Sequence, residues 1–185
     1  MNYPIDISNV VLKTERLILR PWKLSDLDDL FEYASNPDVG PNAGWSPHKN
    51  KDESLEILNR FIDHKKTFAI EYNNKVIGSI GIELYNEKEL PEYNNLKGRE
   101  IGYVLSKDYW GKGIMTEGVK AVIDYLFNEV GLDFIACGHF LRNDRSRRVQ
   151  EKCGFEHVRI IKYETKIGTI EDSWISVLTK EKAMK

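Results

Sequence analysis

The chain has 185 residues, of which 30% are charged, 41% hydrophobic and 11% aromatic, a length that suits one domain around a single core. That apolar content excludes a disordered chain, and that charge excludes a membrane-embedded one. A net charge of −2 from 27 basic and 29 acidic residues supplies no overall field toward nucleic acid or an anionic membrane, so binding of that kind needs a local patch.

The first residues, MNYPIDISNVVLKTERL, lack the basic and then apolar pattern of a signal peptide, and residues 1–13 read as an N-terminal extension. Residues 16–20 (RLILR) alternate apolar and polar ahead of Pro21, as a half-buried strand does. Ser25 reads as the cap of a helix whose Leu27, Leu30, Phe31 and Ala34 recur at helical spacing until Asn36-Pro37. The stretch 37–50 holds Pro41, Gly40, Gly44 and Pro47 and is a long loop. Within it Trp45 is a large aromatic suited to walling a substrate pocket. Leu55, Leu58, Phe61 and Ile62 mark a second amphipathic helix. TFAIEY, the turn Asn73-Asn74 and VIGSIGIELY then read as an antiparallel strand pair. Residues 86–97 are polar and irregular; Glu87, Glu89 and Glu92, with Glu83 just before them, make an acidic loop that could attract a cationic amine or polyamine, and a merely solvated loop explains the same charges equally well.

From Gly98 the pattern becomes strand (REIGYVL), glycine-bearing turn (DYWGKG) and a helix with Val119, Val122, Ile123, Leu126 and Phe127 on one face. An apolar strand (DFIACGHF) follows, then a short helix from near Asn143 to Gly154, then two strands around 155–163 and 173–179. The expected order is β-α-α-β-β-β-α-β-α-β-β, an α+β (α/β) architecture in a single domain over 14–180, with no internal repeat or linker. Only Cys137 and Cys153 are present, too few for a disulfide framework and without histidines at zinc-ligand spacing, so both read as reduced packing thiols and no metal is expected. No run reaches the about 18 apolar residues of a membrane helix, so no membrane contact is expected and the expected compartment is cytoplasmic.

The turn Gly111-Lys112-Gly113-Ile114-Met115-Thr116 opens the strongest helix of the chain. Glycines let the backbone approach a ligand, and the first amides of a helix have no internal partner, so the turn presents several N–H donors and a positive dipole end to an anion. Each such bond to a charged oxygen is worth about 1.5–3 kcal/mol, so three or four can hold a pyrophosphate. Two familiar nucleotide patterns fail: Thr116 stands where a dinucleotide fold wants its third glycine, and no glycine lies five residues before Gly111, six before Lys112, for a Walker loop. On this ground alone the turn could equally be a tightly packed helix start.

The run YWGKGIMTEG, with EIGYVL before it and NDRSRRVQEKCGF after it, resembles the Gcn5-related N-acetyltransferase (GNAT) superfamily over most of the chain, and more narrowly its ribosomal-protein-alanine N-acetyltransferase branch. The resemblance implies a mixed, mostly antiparallel central sheet of about six to seven strands flanked by four helices, with splayed central strands. It implies acetyl-coenzyme A as cosubstrate, its pyrophosphate on the amides of Gly111, Lys112, Gly113, Ile114, Met115 and Thr116 and its pantetheine arm added as a strand beside Tyr103, Val104 and Leu105. Trp110 and Met115 depart from the strict superfamily pattern, which matters little where the contacts are backbone. Asn143 and Ser146 match the family's Asn-x-x-Ser, in which the Asn contacts pantetheine and the hydroxyl lies near the thioester sulfur; read as residues alone, Asn143 is also a good N-cap and Ser146 a first-turn backbone partner. Arg142, Arg145, Arg147, Arg148 and Lys152 crowd the same helix and could meet the 3′-phosphate of coenzyme A, nucleic acid, or only solvent; nucleic acid is disfavoured because no aromatics interleave with them.

Acyl transfer to nitrogen needs a neutral amine. A peptide α-amine with a pKa near 8 is about one-tenth neutral at pH 7, a lysine amine near 10.4 only about once in a few thousand. Glu100, on the central strand two residues before Gly102, is the candidate base, with Glu83 as its understudy and substrate contact, and Ser146 is the candidate helper of the leaving thiolate. The expected function is transfer of an acetyl group to a primary amine (protein N-terminus, polyamine or small molecule) by direct attack, the alternative being a non-catalytic acyl-coenzyme A sensor or docking module. A homodimer is compatible with the sequence, and the loops 37–50 and 86–97, where acceptor choice resides, carry no specific motif.

Overall fold

The computed structural model describes residues 1–185. Its elements are β1 (Leu12–Lys13), β2 (Ile18–Pro21), α1 (Leu27–Ala34), α2 (Lys51–His64), β3 (Thr67–Tyr72), β4 (Lys75–Glu83), β5 (Gly98–Leu105), α3 (Ile114–Tyr125), β6 (Phe134–Phe140), α4 (Asp144–Lys152), β7 (Glu156–Glu164), β8 (Ile170–Thr179) and α5 (Lys180–Ala183). The strands form one eight-stranded sheet in the order β1-β2-β3-β4-β5-β6-β8-β7. Every pair is antiparallel except β5 with β6. The fold class matches the expectation, with one more strand and one more helix. Both additions are short: β1 has two residues and α5 is a single turn whose cap, Thr179, accepts from Lys182 N, too little chain for a periodic signal.

Local chemistry explains the elements. The β3–β4 hairpin turns at Asn73 and Asn74, with φ of 49° and 62°, the two left-handed positions that asparagine tolerates and a tight hairpin requires. The α2 helix starts where the Asn50 side chain accepts from Glu53 N at 3.0 Å. The α4 helix ends at Cys153 before Gly154, φ 88°. Ser25 is not a cap: a 3-10 turn over Leu24–Asp26 precedes α1, and Asp26 takes the N-cap position.

The apolar stripe of α3, with Val119, Val122 and Ile123, and Leu126 in the turn that continues it, packs on one face of the sheet with Ile80, Ile82 and Ile101. On the other face α1 and α2 bury Leu30, Tyr33, Ala34 and Leu58 with Trp22, Ala69 and Val76. Each large side chain buried this way contributes about 1.5–3 kcal/mol. Residues ahead of 14 join the same core: Ile7 is buried, and Asn2 bridges to Gly98 at the start of β5.

Between the α1 layer and the sheet lies a buried ion pair. The Arg20 guanidinium donates to both Asp26 oxygens at 2.9 Å, and Asp26 also accepts from Lys23 N at 2.8 Å. The Asp26 hydrogen bonds hold the Arg20 guanidinium above its ordinary pKa. Removing one partner of a buried pair costs about 3–5 kcal/mol when it strands the other charge; Arg20 Nη2 also donates to Glu71 Oε1 at 3.2 Å, which keeps its charge partly paired and sets the loss at about 3 kcal/mol, the low end of that range. Asp26→Ala is therefore expected to destabilise the protein by that amount in urea titrations, whereas Lys51→Ala, which breaks only the exposed Lys51–Asp28 pair, is expected to cost less than about 1 kcal/mol.

Candidate active site

Strands β5 and β6 pair only from Gly98–Ile101 against Phe134–Cys137. Beyond that point β5 runs on to Leu105 and β6 to Phe140 without further pairing between them, so the parallel strands splay. A cavity of about 720 Å³ opens in the gap, walled by Gly102, Tyr103, Val104 and Leu105 on one side and Gly138, His139 and Phe140 on the other. One edge of β5 there still holds β4; the other has no strand partner, which suits an extended ligand with its own amides.

At one end of the cavity stands the glycine turn. Gly111 and Gly113 have φ of 74° and 72°, and no heavy atom lies within 4 Å of where a Cβ on Gly111 would stand. Gly113 is the N-cap of α3 without any side-chain cap, so the first amides of the helix stay free for an anion. Gly111, Gly113, Ile114, Met115 and Thr116 line the cavity. Lys112 does not: its ammonium lies over the Tyr109 ring at 5.4 Å, and its carbonyl accepts from Arg16 Nη1 at 2.9 Å, which ties the turn to the ion pair Arg16–Glu117. On α4, Arg145, Arg148 and Lys152 face the cavity, three and four residues apart and thus on one helical face. The Arg145 guanidinium sits 3.6 Å over the Trp110 ring, whose Nε1 donates to Leu105 O at 2.9 Å. Arg147 instead pairs with Asp144 and Glu151, and Arg142 with Glu171. The arginine cluster of the sequence is therefore divided between cavity and surface.

The opposite end is acidic. Glu83 and Glu100 are directly paired across β4 and β5, and Glu89 of the loop joins them in the wall. Burial, reinforced by Glu89 and Glu83, pushes the Glu100 carboxyl up to about 7. Glu83 is paired with Lys66. Glu87 accepts from Asn2 and Glu92 pairs with Arg159, so only part of the acidic loop faces the cavity.

Besides Lys112, the structure moves one more expected residue off the wall. Trp45 lies outside the cavity wall; it packs with the α1–α2 cluster, its ring 5.3 Å from that of His48. An indole gains more from a second apolar core than from an open gap, and the loop wall is made by Val39, Asn42 and Ala43. Arg142 donates to Asn42 Oδ1 at 2.7 Å and to Pro41 O at 3.0 Å, fastening that loop over the start of α4. Asn143 is the N-cap of α4, its Oδ1 accepting from Ser146 N at 3.2 Å, and it lines the cavity together with Ser146. His139, Phe140 and Tyr163 also line the cavity and went unnoticed in the sequence. Two of them stand in DFIACGHF next to Gly138, where the interruption of an apolar run by Gly and His was the available signal.

Residues 16–156 match the acetyltransferase (GNAT) domain family. The N-acetyltransferase p20 of Bacillus licheniformis, itself uncharacterized, is 28% identical over 91% of this chain and 96% of its own. The microcin C7 self-immunity acetyltransferase MccE, solved in complex with acetyl-CoA and AMP, superposes with a TM-score of 0.74 at 18% identity, over 90% of this chain and 93% of that one. The ribosomal-protein-S5-alanine acetyltransferase of Vibrio fischeri superposes with a TM-score of 0.70 at 23% identity, over 94% and 98%. No helix is long and apolar enough to cross a membrane.

Glu100 also affects stability. With a folded pKa of about 7 against an ordinary 4.5, the folded state holds a proton that the unfolded state releases between those values. The stability that accompanies its protonated form is fully present below about pH 4.5 and is lost as pH rises through about 7. Glu100→Gln is accordingly expected to melt with the wild type at pH 4 and above it at pH 8, measured by thermal unfolding at both.

Proposed function

This chain belongs to the GNAT acetyltransferase family, and we propose that it transfers the acetyl group of acetyl-coenzyme A to a primary amine, both substrates occupying the cavity between β5 and β6 together. One observation carries the reading: a single cavity joins a helix start able to hold phosphate to a half-buried carboxyl that desolvation and neighbouring carboxylates push up to about 7.

The residues fit acetyl-coenzyme A: positive φ at Gly111 and Gly113, with open space above Gly111, free amides at the start of α3, an unpartnered strand edge and three cations on α4. Bound there, it supplies an activated thioester. The amides of Gly113 to Thr116 hold the pyrophosphate, the edge from Gly102 to Leu105 aligns the pantetheine arm, and Arg145, Arg148 and Lys152 balance phosphate charge. Glu100, ionised above about pH 7, takes a proton from the acceptor ammonium. The amine nitrogen then adds to the acetyl carbon, the bond from that carbon to sulfur breaks as the tetrahedral adduct collapses, and the second nitrogen proton passes to the departing thiolate, which the Ser146 hydroxyl faces.

Direct attack is supported by the state of the thiols. Burial raises Cys137 well above its ordinary pKa and Cys153 to about 11, so neither presents a thiolate to carry the acetyl group. Glu83 and Glu89 favour a cationic acceptor: a protein N-terminal amine, a polyamine or a small amine. A cofactor sensor has no use for a carboxyl poised near neutrality at the far end of the cavity, which favours the enzyme reading over a non-catalytic module.

Two experiments test this function. In a pH–rate profile with a fixed amine, wild-type kcat/KM is expected to rise through about pH 7. Glu100→Gln should erase that step, lose about 100-fold near pH 7 to 8, and lose less at higher pH where solvent removes the proton; full activity at pH 7 would exclude Glu100 as base. Gly113→Val places a branched side chain at a φ of 72°, a strain of about 1–3 kcal/mol that a folded domain tolerates. It is expected to weaken acetyl-coenzyme A binding at least tenfold by calorimetry while the protein stays folded.

A further inference from the structure

Ser146 is the hydroxyl expected to face the sulfur, yet a serine hydroxyl turns freely and in a helix can bond back to its own backbone. Here its surroundings leave it little choice. Ser146 Oγ lies 2.9 Å from the Tyr103 hydroxyl and 3.4 Å from Gln150 Nε2. Gln150 is buried, and both ends of its amide are committed: Nε2 donates to Gly138 O at 3.0 Å, and Oε1 lies 3.0 Å from His139 Nδ1. That arrangement assigns the amide orientation and makes His139 Nδ1 the donor. The His139 Nε2 atom is buried without a partner, as suits a neutral ring carrying its proton on Nδ1, and burial lowers the His139 pKa in the same sense.

Gln150 can therefore only donate to Ser146 Oγ. The Tyr103 phenol has one hydrogen and two acceptors within reach, Ser146 Oγ at 2.9 Å and Ser146 O at 3.2 Å. Either hydroxyl can be the donor between them; with the phenol directed at the nearer acceptor and Gln150 Nε2 beside it, both lone pairs of Oγ are filled and the serine hydrogen turns to the cavity. Burial keeps the phenol protonated far above neutral pH.

We propose that Tyr103, Gln150 and His139 are positioning residues that turn the Ser146 hydroxyl into the cavity as a hydrogen-bond donor to the departing sulfur. No proton leaves Tyr103 in this scheme; a phenol so buried is a weaker acid than a thiol, and the chain acts by orientation. The inference rests on the reading of Ser146 given above and adds the side chain of Tyr103 to a strand whose backbone alone had been assigned a role.

The test is a double-mutant cycle on the full chain with saturating amine, read alongside calorimetric affinity for acetyl-coenzyme A. Tyr103→Phe is expected to lower kcat about tenfold, the equivalent of one lost hydrogen bond, with KM and the dissociation constant of acetyl-coenzyme A changed less than twofold and the pH step near 7 retained. Ser146→Ala should lower kcat at least as much, and adding Tyr103→Phe to it should cost nothing more. Gln150→Met, which keeps the length of the side chain and removes the donor, should reproduce the Tyr103→Phe pattern and provides the readout should that variant fold poorly. Full kcat in both Tyr103→Phe and Gln150→Met, or losses that multiply with Ser146→Ala, would overturn the inference while the acetyltransferase reading stands. Full kcat in Ser146→Ala would overturn the role of Ser146 itself, and with it this proposal; absence of turnover in the wild type with any amine would overturn the function.

Discussion

Everything at the site depends on two parallel strands that stop pairing. From Ile101 and Cys137 onward β5 and β6 diverge, and each leaves backbone donors and acceptors without a sheet partner in the middle of the protein. Buried and unpaired, such groups would cost a few kcal/mol each. The protein meets this cost in two ways. It opens a cavity, where water or an extended ligand can pair with the strand edge, and it brings α4 across the gap, where Gln150 donates to the freed carbonyl of Gly138. The same helix thereby carries its polar face, with Ser146, into the site.

The cavity is also divided electrically. Cations of α4 and the positive start of α3 gather at one end, and Glu83, Glu89 and Glu100 at the other. The separation suits a reaction that joins a polyanionic donor to a cationic acceptor, since each partner is drawn to the end where its charge is balanced. Mutual repulsion among the carboxylates adds to burial in pushing the Glu100 carboxyl up to about 7, so the charges that would draw a cation to this end also raise the basicity of the carboxyl among them. The loop wall of Val39, Asn42 and Ala43, held down by Arg142, keeps solvent from one side of the gap, and low solvent content strengthens each of these effects.

The order of elements and the glycine turn were both readable in the sequence. Periodicity is a local property: the α3 stripe, the Asn73-Asn74 hairpin and the Gly154 stop each reside in fewer than a dozen adjacent residues, and the structure reproduces them. The conformation of the glycine turn was readable for the same reason, because positive φ at Gly111 and Gly113 and the free amides after them follow from chain chemistry at that point. β1, of two residues, and α5, of a single turn, escaped because neither repeats its own period even once, whereas the four residues of β2 span two periods of a strand.

The sequence by itself determined which backbone could hold phosphate and which carboxylates and hydroxyls were available. Only the tertiary structure decided which of them meet. Glu100 acquires a pKa near 7 because pairing of β4 with β5 sets it beside Glu83 and the folded loop brings Glu89 to it. Trp45, conspicuous in its loop, is drawn into an apolar cluster formed by helices on either side of it in the chain. Tyr103, Ser146, Gln150 and His139 lie up to 47 residues apart in numbering and touch because β5, β6 and α4 converge at the splay. Burial and side-chain contact are properties of strand pairing and helix packing between distant segments, and no window along the chain contains them.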